Sequence, residues 1–207
     1  LYFFIFFFFG NAEWSGIAYG SSYRHNNAKR KLMHSLYRQK EQLKIARIEY
    51  NHLPDWRWLG NNYKNDSLVP NNKFIILATG AAMHRLNKKW PQSSYASLIE
   101  RFSKIGIQCI LIGSKDESNN IKNLISLVDK AIKKQPLNYA GMTSYKDIVY
   151  LSSYAKYAIG NDTGPIHLIA TCGLSTIVLF GSGSNPDLCA PIGKNVTIEV
   201  EGSIGDG

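Results

Sequence analysis

The sequence predicts an α/β protein, a parallel sheet with helices on both faces, and three observations carry that prediction. Short apolar runs end in Gly, as KFIILATG (73–80), IGIQCILIG (105–113), YAIG (157–160) and STIVLFG (175–181). Between them apolar residues recur at helical spacing, as Tyr95, Leu98, Ile99 and Phe102, then Ile121, Leu124, Ile125 and Val128. Strand and helix therefore alternate from 73 to 181, the pattern of βαβ units.

The opening LYFFIFFFFG is apolar but shorter than the roughly 20 residues a bilayer-spanning helix needs. No basic segment precedes it and no small-residue cleavage site follows, so it does not read as a signal peptide. Its Phe and Ile suit a truncated buried strand, a mis-set start that adds foreign residues is an equal alternative, and it is assigned no function. Residues 26–50 place Leu32, Leu36, Leu43, Ile45 and Ile48 among many charges, which predicts one or two amphipathic helices. Residues 52–72 carry Pro, Asp, Asn and Gly throughout, a linker composition. A boundary near residue 70 follows, separating 1–70 from a second domain, 71–207.

Within the second domain, 73–80 is the first strand. Ser93 or Ser94 is the expected cap of the helix after it, because a hydroxyl there can accept from a first-turn amide. The strand at 105–113 follows, then KDES leads into the helix carrying Ile121 to Val128. A short strand is expected over Leu137–Ala140. Ser144 with Asp147 three residues on is a capping-box signature opening a helix to about Tyr154. The strand at 157–160 hands over to a helix beginning near Pro165 and stopping at Gly173, and 175–181 is strand again. The chain does not begin with Met and ends in EGSIGDG, so both ends read as edges of something longer.

The bulk numbers narrow the function classes. A chain of 207 residues, 44% hydrophobic and 19% charged, has the composition of an ordinary globular protein. Its net charge of +9 favours anionic ligands. The Lys and Arg residues are scattered, with no basic stripe interleaved with aromatics, which argues against a nucleic-acid platform. Cys109, Cys172 and Cys189 show neither metal spacing nor a disulfide framework and read as reduced core thiols. No G-x-G-x-x-G follows a strand, and no G-x-S-x-G, P-loop or His/Cys metal cluster is present.

Ligands of open α/β sheets bind in loops at the carboxyl ends of strands. In GNDTGP, Pro165 suits the first helical position, and Asp162 or Thr163 is the expected N-cap. The amides around Thr163, Gly164 and Ile166 then face outward at the positive end of the helix dipole, an anion site. Gly164 leaves no Cβ in the way, and His167 in the first turn can donate to a phosphate oxygen. Without a ligand, Asp162 and Thr163 are plain caps and His167 has a local partner; the polar and small residues at every strand-to-helix loop favour the anion site. Lys88 and Lys89, before Trp90–Pro91, supply a point charge for a phosphate or else a solvated pair beside a packed Trp. Asp116 and Glu117 offer a carboxylate for ribose hydroxyls, or a first-turn acid that complements the helix dipole.

Together, GNDTGPIHLIATCGLSTIVLFG, TGAAMHRLNKKWP, IGSKDE and AGMTS resemble, in order and spacing, the C-terminal nucleotide-sugar-binding segment of glycosyltransferase family 9, the lipopolysaccharide heptosyltransferases. The resemblance covers roughly 73–193 and implies a Rossmann-like domain forming the C-terminal half of a GT-B fold. It implies an inverting transfer of heptose from ADP-heptose to the lipopolysaccharide inner core, with no metal and no cofactor beyond the nucleotide-sugar donor. Residue by residue, it implies that Asp162, Thr163, Gly164 and His167 form the donor-binding loop and that Lys88 contacts the diphosphate and sugar. It also implies Glu117 near the ribose and Met142 in the base pocket. The family's general base is expected in an N-terminal segment that this sequence does not match, so no catalytic residue is assigned. The implied partners are the donor and a lipid A–core acceptor at a membrane surface, with no nucleic acid and no transmembrane segment. A cytoplasmic location follows, peripheral on the inner face of a bacterial inner membrane. A non-catalytic nucleotide-sugar-binding remnant is the alternative.

Overall fold

The computed structural model describes residues 13–80 and 89–200. They fall into two compact units, one formed by residues up to His52 with Asp187–Cys189, the other by Leu53–Pro186 and the chain from Ala190.

In the first unit, β1 (Ser15–Gly16) pairs in parallel with β2 (Tyr23–Arg24). A 3-10 turn, Arg30–Leu32, precedes α1 (Ser35–Ile45). The helix expected over 26–50 is thus present, but none of its residues is buried, and Leu32 and Ile48 are exposed. The two-residue strands offer too little apolar surface to cover a helical stripe. Polar contacts hold the unit instead. His25 is buried, and its Nδ1 accepts from Arg30 Nε at 3.0 Å, which leaves the proton on Nε2, 3.2 Å from Glu41 Oε2. Glu41 in turn accepts from Asn27 Nδ2 at 2.8 Å.

The second unit is built on a six-stranded sheet, parallel throughout: β3 (Phe74–Ala78), β4 (Gln108–Ile112), β5 (Leu137–Asn138), β6 (Ala158–Asn161), β7 (Thr176–Phe180) and β8 (Val196–Val200). Their order is β5-β4-β3-β6-β7-β8, so the chain builds outward from β3 in one direction and then outward from β6 in the other. Right-handed crossovers then put α2 (Gln92–Lys104) and α3 (Ser118–Ser126) on one face, and α5 (Gly164–Thr171) on the other. Side-chain alternation along the strands fills both faces. Ile75, Leu77, Cys109 and Leu111 meet Tyr95, Ile99, Ile121 and Leu124 of α2 and α3. The alternate residues Ile76, Ile110, Ile112 and Val178 are equally buried on the opposite face, where α5 packs on β6 and β7. Each such side chain contributes on the order of 1.5–3 kcal/mol of burial.

The structure adjusts several boundaries. α2 starts at Gln92, with Pro91 at the cap and no side-chain cap bond, rather than after Ser93 or Ser94. Trp90 packs edge-on against Tyr95, rings 4.9 Å apart at 87°, and this contact draws the helix start toward residue 92. β5 stops at Asn138, because Asn138 Oδ1 accepts from Ala140 N at 3.0 Å and turns the chain. β8 was not expected: VTIEV is a half-exposed edge strand with a charge in it, lacking the apolar run that marks the inner strands.

The capping box forms as expected at α4 (Tyr145–Tyr154), where Ser144 N and Oγ reach Asp147 Oδ2 at 2.7 and 2.6 Å. Asp147 also accepts from Tyr63 OH and from Asn65 Nδ2 at 2.7 Å. Tyr150 OH donates to Asp66, and Tyr139 OH to the Leu68 carbonyl at 3.0 Å. Residues 63–68, within the 52–72 stretch of linker-like composition, are in this way fastened along the sheet-bearing unit.

Candidate functional site

Strand order reverses between β3 and β6, and their carboxyl ends open side by side. Such a switch point is where doubly wound sheets bind ligands, because the flanking loops diverge there. Gly160 brings the two strands close: a Cβ on it would lie 2.5 Å from the Ala78 carbonyl oxygen.

Asn161, the last residue of β6, is fully buried and uses its whole hydrogen-bonding capacity. Its Nδ2 donates to the carbonyls of Thr79 and Gly80 at 2.8 and 3.1 Å. Its Oδ1 accepts from Trp90 N at 3.1 Å and Tyr95 OH at 3.0 Å. Neither carbonyl nor backbone N–H can reverse its role, so the amide orientation is determined. Sequence reasoning quoted this residue without giving it a role. The available signal was a lone amide side chain closing an apolar strand, which must find partners once buried.

Beyond Asn161 the chain turns into α5. Thr163 occupies the N-cap position, with φ −141° and ψ 160°, but its hydroxyl makes no cap bond and Oγ1 is buried without a partner. The expected Thr163 cap bond is therefore not made. Asp162 is turned sideways: its side chain is 7% exposed, Oδ1 lies 2.9 Å from His167 Nε2, and Oδ2 accepts from Ser184 Oγ at 2.6 Å. The carboxylate can only accept, so Nε2 carries the His167 proton. In the neutral ring Nδ1 is then an acceptor, and donation to a phosphate from Nδ1 requires the imidazolium. Space around Gly164 is open, with nothing within 4 Å of an added Cβ. Ser184, in the loop after β7, is a second contributor that no motif marked.

On the other side, Glu117 closes a capping box with Ser114, accepting from Ser114 N at 2.7 Å. Its carboxylate rests over the ends of β3 and β4. A Cβ on Gly80 would lie 1.7 Å from Glu117 Oε1, and one on Gly113 2.9 Å from Oε2. Met142 is exposed in the turn after β5, and that turn is joined to the β4 loop by Gly141 N donating to the Gly113 carbonyl at 2.9 Å. The structure thus gathers Asp162, Thr163, Gly164 and His167 at one strand end, and links the loops of Glu117 and Met142 to each other. Lys88 lies outside the described residues. Lys89 lines a hollow with Thr79, Gly80, Trp90 and Glu117, and makes no ion pair among the described residues.

Among the described residues no group of three His, Cys, Asp or Glu side chains is placed to hold a metal, and no helix is long and apolar enough to cross a membrane. Burial pushes the Cys109 thiol up to about 12, as expected of a core thiol, whereas Cys172 and Cys189 are only half-buried.

Comparison with known proteins agrees with this geometry. The profile of glycosyltransferase family 9 (heptosyltransferase) matches residues 23–203. Lipopolysaccharide heptosyltransferase 2 of Salmonella typhimurium is 26% identical over 111 residues, 54% of this chain and 32% of that protein. The chain therefore spans about a third of the length of the curated relatives it matches. The solved Escherichia coli ADP-heptose lipopolysaccharide heptosyltransferase II is 25% identical, with a TM-score of 0.59 over 69% of this chain and 41% of that one. The E. coli heptosyltransferase WaaC, solved with ADP, is 21% identical with a TM-score of 0.65, covering 87% and 53%. The sheet with its helices is accordingly Rossmann-like, of the kind found in the C-terminal half of a GT-B fold. A family profile that covers most of the chain, on a fold shared with solved members, settles the affiliation: the chain belongs to glycosyltransferase family 9, the heptosyltransferases.

Proposed function

We propose that the sheet-bearing unit, residues 71–207 in the sequence reading, binds a nucleotide sugar of the ADP-heptose kind at the β3/β6 switch point. The protein as a whole would then transfer the sugar to a lipopolysaccharide core acceptor at the inner face of the inner membrane. The observation that carries the reading is the convergence on one crevice of the amino end of α5, unobstructed at Gly164, and the Thr79–Gly80 end of β3. A diphosphate there meets the positive end of the helix dipole and the first-turn amides. His167, held by Asp162, contributes a donor to an oxyanion when protonated. Lys88 is proposed for the diphosphate and sugar. Glu117, whose carboxylate lies over the ends of β3 and β4, is proposed for the ribose hydroxyls, and Met142, in the turn joined to the β4 loop, for the base. Stabilising the departing ADP in this way is the protein's contribution to an inverting displacement without metal. The base that deprotonates the acceptor is not assigned to any described residue.

The reading is tested by calorimetric titration with ADP and ADP-heptose. Saturable binding of both is expected, weakened in Gly164→Val and Lys88→Ala. Absence of heat and of any melting shift with either ligand sinks the proposal. Transfer of labelled heptose to a core acceptor by this chain alone would extend it from binding to catalysis.

A further inference from the structure

Three of the four hydrogen bonds of one buried side chain reach both stems of a single loop. The loop leaves β3 at Thr79–Gly80 and returns at Trp90, and Asn161 of the neighbouring strand holds the carbonyls of the first stem and the amide of the second. The same Oδ1 takes Tyr95 OH from α2, so the returning stem is locked to the helix that follows it. Asn161 is 0% exposed and Tyr95 1%, so no water competes for these bonds. Trp90 packs on Tyr95 over the same junction. Lys89 is the residue directly before the clasped Trp90 amide, and it lines the hollow beside Thr79 and Gly80.

We propose that Asn161 is a positioning residue of the nucleotide-sugar site. By clasping the two described stems, Thr79–Gly80 and Trp90, it fixes Lys89 beside the carboxyl end of β3, and so sets the preference for a diphosphate over a monophosphate. The proposal rests on the nucleotide-sugar reading above. Asn161 touches no ligand itself; its effect passes through the clasped stems to Lys89. A Lys is a flexible point charge, and its contribution to a distal phosphate depends on where its backbone is held. The α-phosphate, seated on the α5 amides, is much less sensitive to that loop.

The test is titration of the full chain with ADP and with AMP, in parallel with thermal melts. The wild-type chain prefers ADP. Asn161→Ala and Asn161→Ser are expected to lower ADP affinity about tenfold while AMP affinity changes less than about twofold, so the preference collapses. Tyr95→Phe removes one bond but leaves both stems clasped, and is expected to lower the melting temperature with the preference intact. If the Ala variant fails to fold, the Ser variant, whose vacated space admits a water, carries the measurement. A lowered melting temperature with an unchanged ADP-to-AMP preference in the folded Asn161 variant overturns the proposal, since a merely structural role predicts that result. Equal loss of preference in Tyr95→Phe overturns it too, because the preference would then track stability. If the wild-type chain binds neither nucleotide, the nucleotide-sugar reading itself fails, a result distinct from binding that is indifferent to Asn161.

Discussion

Removing the charge of Asp147 probes how residues 63–68 are fastened to the sheet-bearing unit. The carboxylate is 5% exposed, and desolvation works to raise its pKa. Hydrogen bonds from Ser144, Tyr63 and Asn65 outweigh that and hold it at about 2, against an ordinary 3.8. The folded pKa is depressed, so the stabilisation is present above the unfolded value and is lost as pH falls through the folded one. Nearly two pKa units correspond to about 2 kcal/mol at pH 7, of which roughly half remains at pH 3. Asp147→Asn abolishes this titration and turns an amide N–H₂ toward donors. Urea denaturation of the two chains should differ by about 2 kcal/mol at pH 7 and by about 1 kcal/mol at pH 3. A wild-type-minus-variant difference that stays constant between these pH values refutes the argument, because it would mean that the folded chain does not favour the ionised carboxylate.

Other perturbations follow from close approaches and burial. Gly160→Ala would drive a methyl into the Ala78 carbonyl, 2.5 Å away, and should cost about 3 kcal/mol, lowering the melting temperature by roughly 10 °C. Gly80→Ala must displace the Glu117 carboxylate, which has room to swing out, so the expected cost is about 1 kcal/mol. In a Glu117→Ala background the same substitution should cost almost nothing, and a double-mutant cycle that shows simple additivity contradicts the contact. With a thiol reagent at pH 8, Cys109 should stay unreacted in the native chain and react on denaturation, and half-buried Cys172, whose thiol burial pushes up to about 11, should react only slowly.

The inner strands β3, β4 and β6 were legible because each is buried on both faces, and β7, buried on one face and half-buried on the other, still reads as an apolar run. The Ser144–Asp147 box was legible because its spacing is local. The bonds of Asp147 to Tyr63 and Asn65 were not, since they join residues more than eighty positions apart in the chain. For the same reason composition marked 52–72 as linker while the structure fastens Tyr63, Asn65, Asp66 and Leu68 within it. β8 escaped notice because an edge strand alternates Val196, Ile198 and Val200 with polar residues and needs no apolar run. In the site, motif reading marked the GNDTGP turn as an anion site with Asp162 or Thr163 as its N-cap, but not that Thr163 would take that position without a cap bond. Whether a hydroxyl reaches a first-turn amide depends on side-chain rotation, which the sequence does not specify.

The turn after β6 owes its organising role to strand geometry. Asn161 ends β6 and Asp162 opens the turn after it, and the two side chains serve different neighbours. Asn161 reaches the loop stems around β3 and α2, while Asp162 reaches Ser184 beyond β7 and His167 on α5. Since β6 lies between β3 and β7, this pair ties together the loops on both sides of the switch point. The Gly that precedes them lets β6 lie close enough to β3 for a side chain as short as Asn to bridge the gap. A longer Gln at 161 would overshoot the Thr79 and Gly80 carbonyls, and a Ser would fall short of Trp90. The order Gly160, Asn161, Asp162 therefore has a steric, a medial and a lateral function in three successive positions, and exchanging Asn161 with Asp162 should fail even though composition and charge are unchanged. That swap would place a carboxylate against two carbonyl oxygens and deprive His167 of its anionic partner. The expected readout is loss of the folded chain or of its ADP binding, and a swapped chain that binds ADP as tightly as wild type would refute this division of roles.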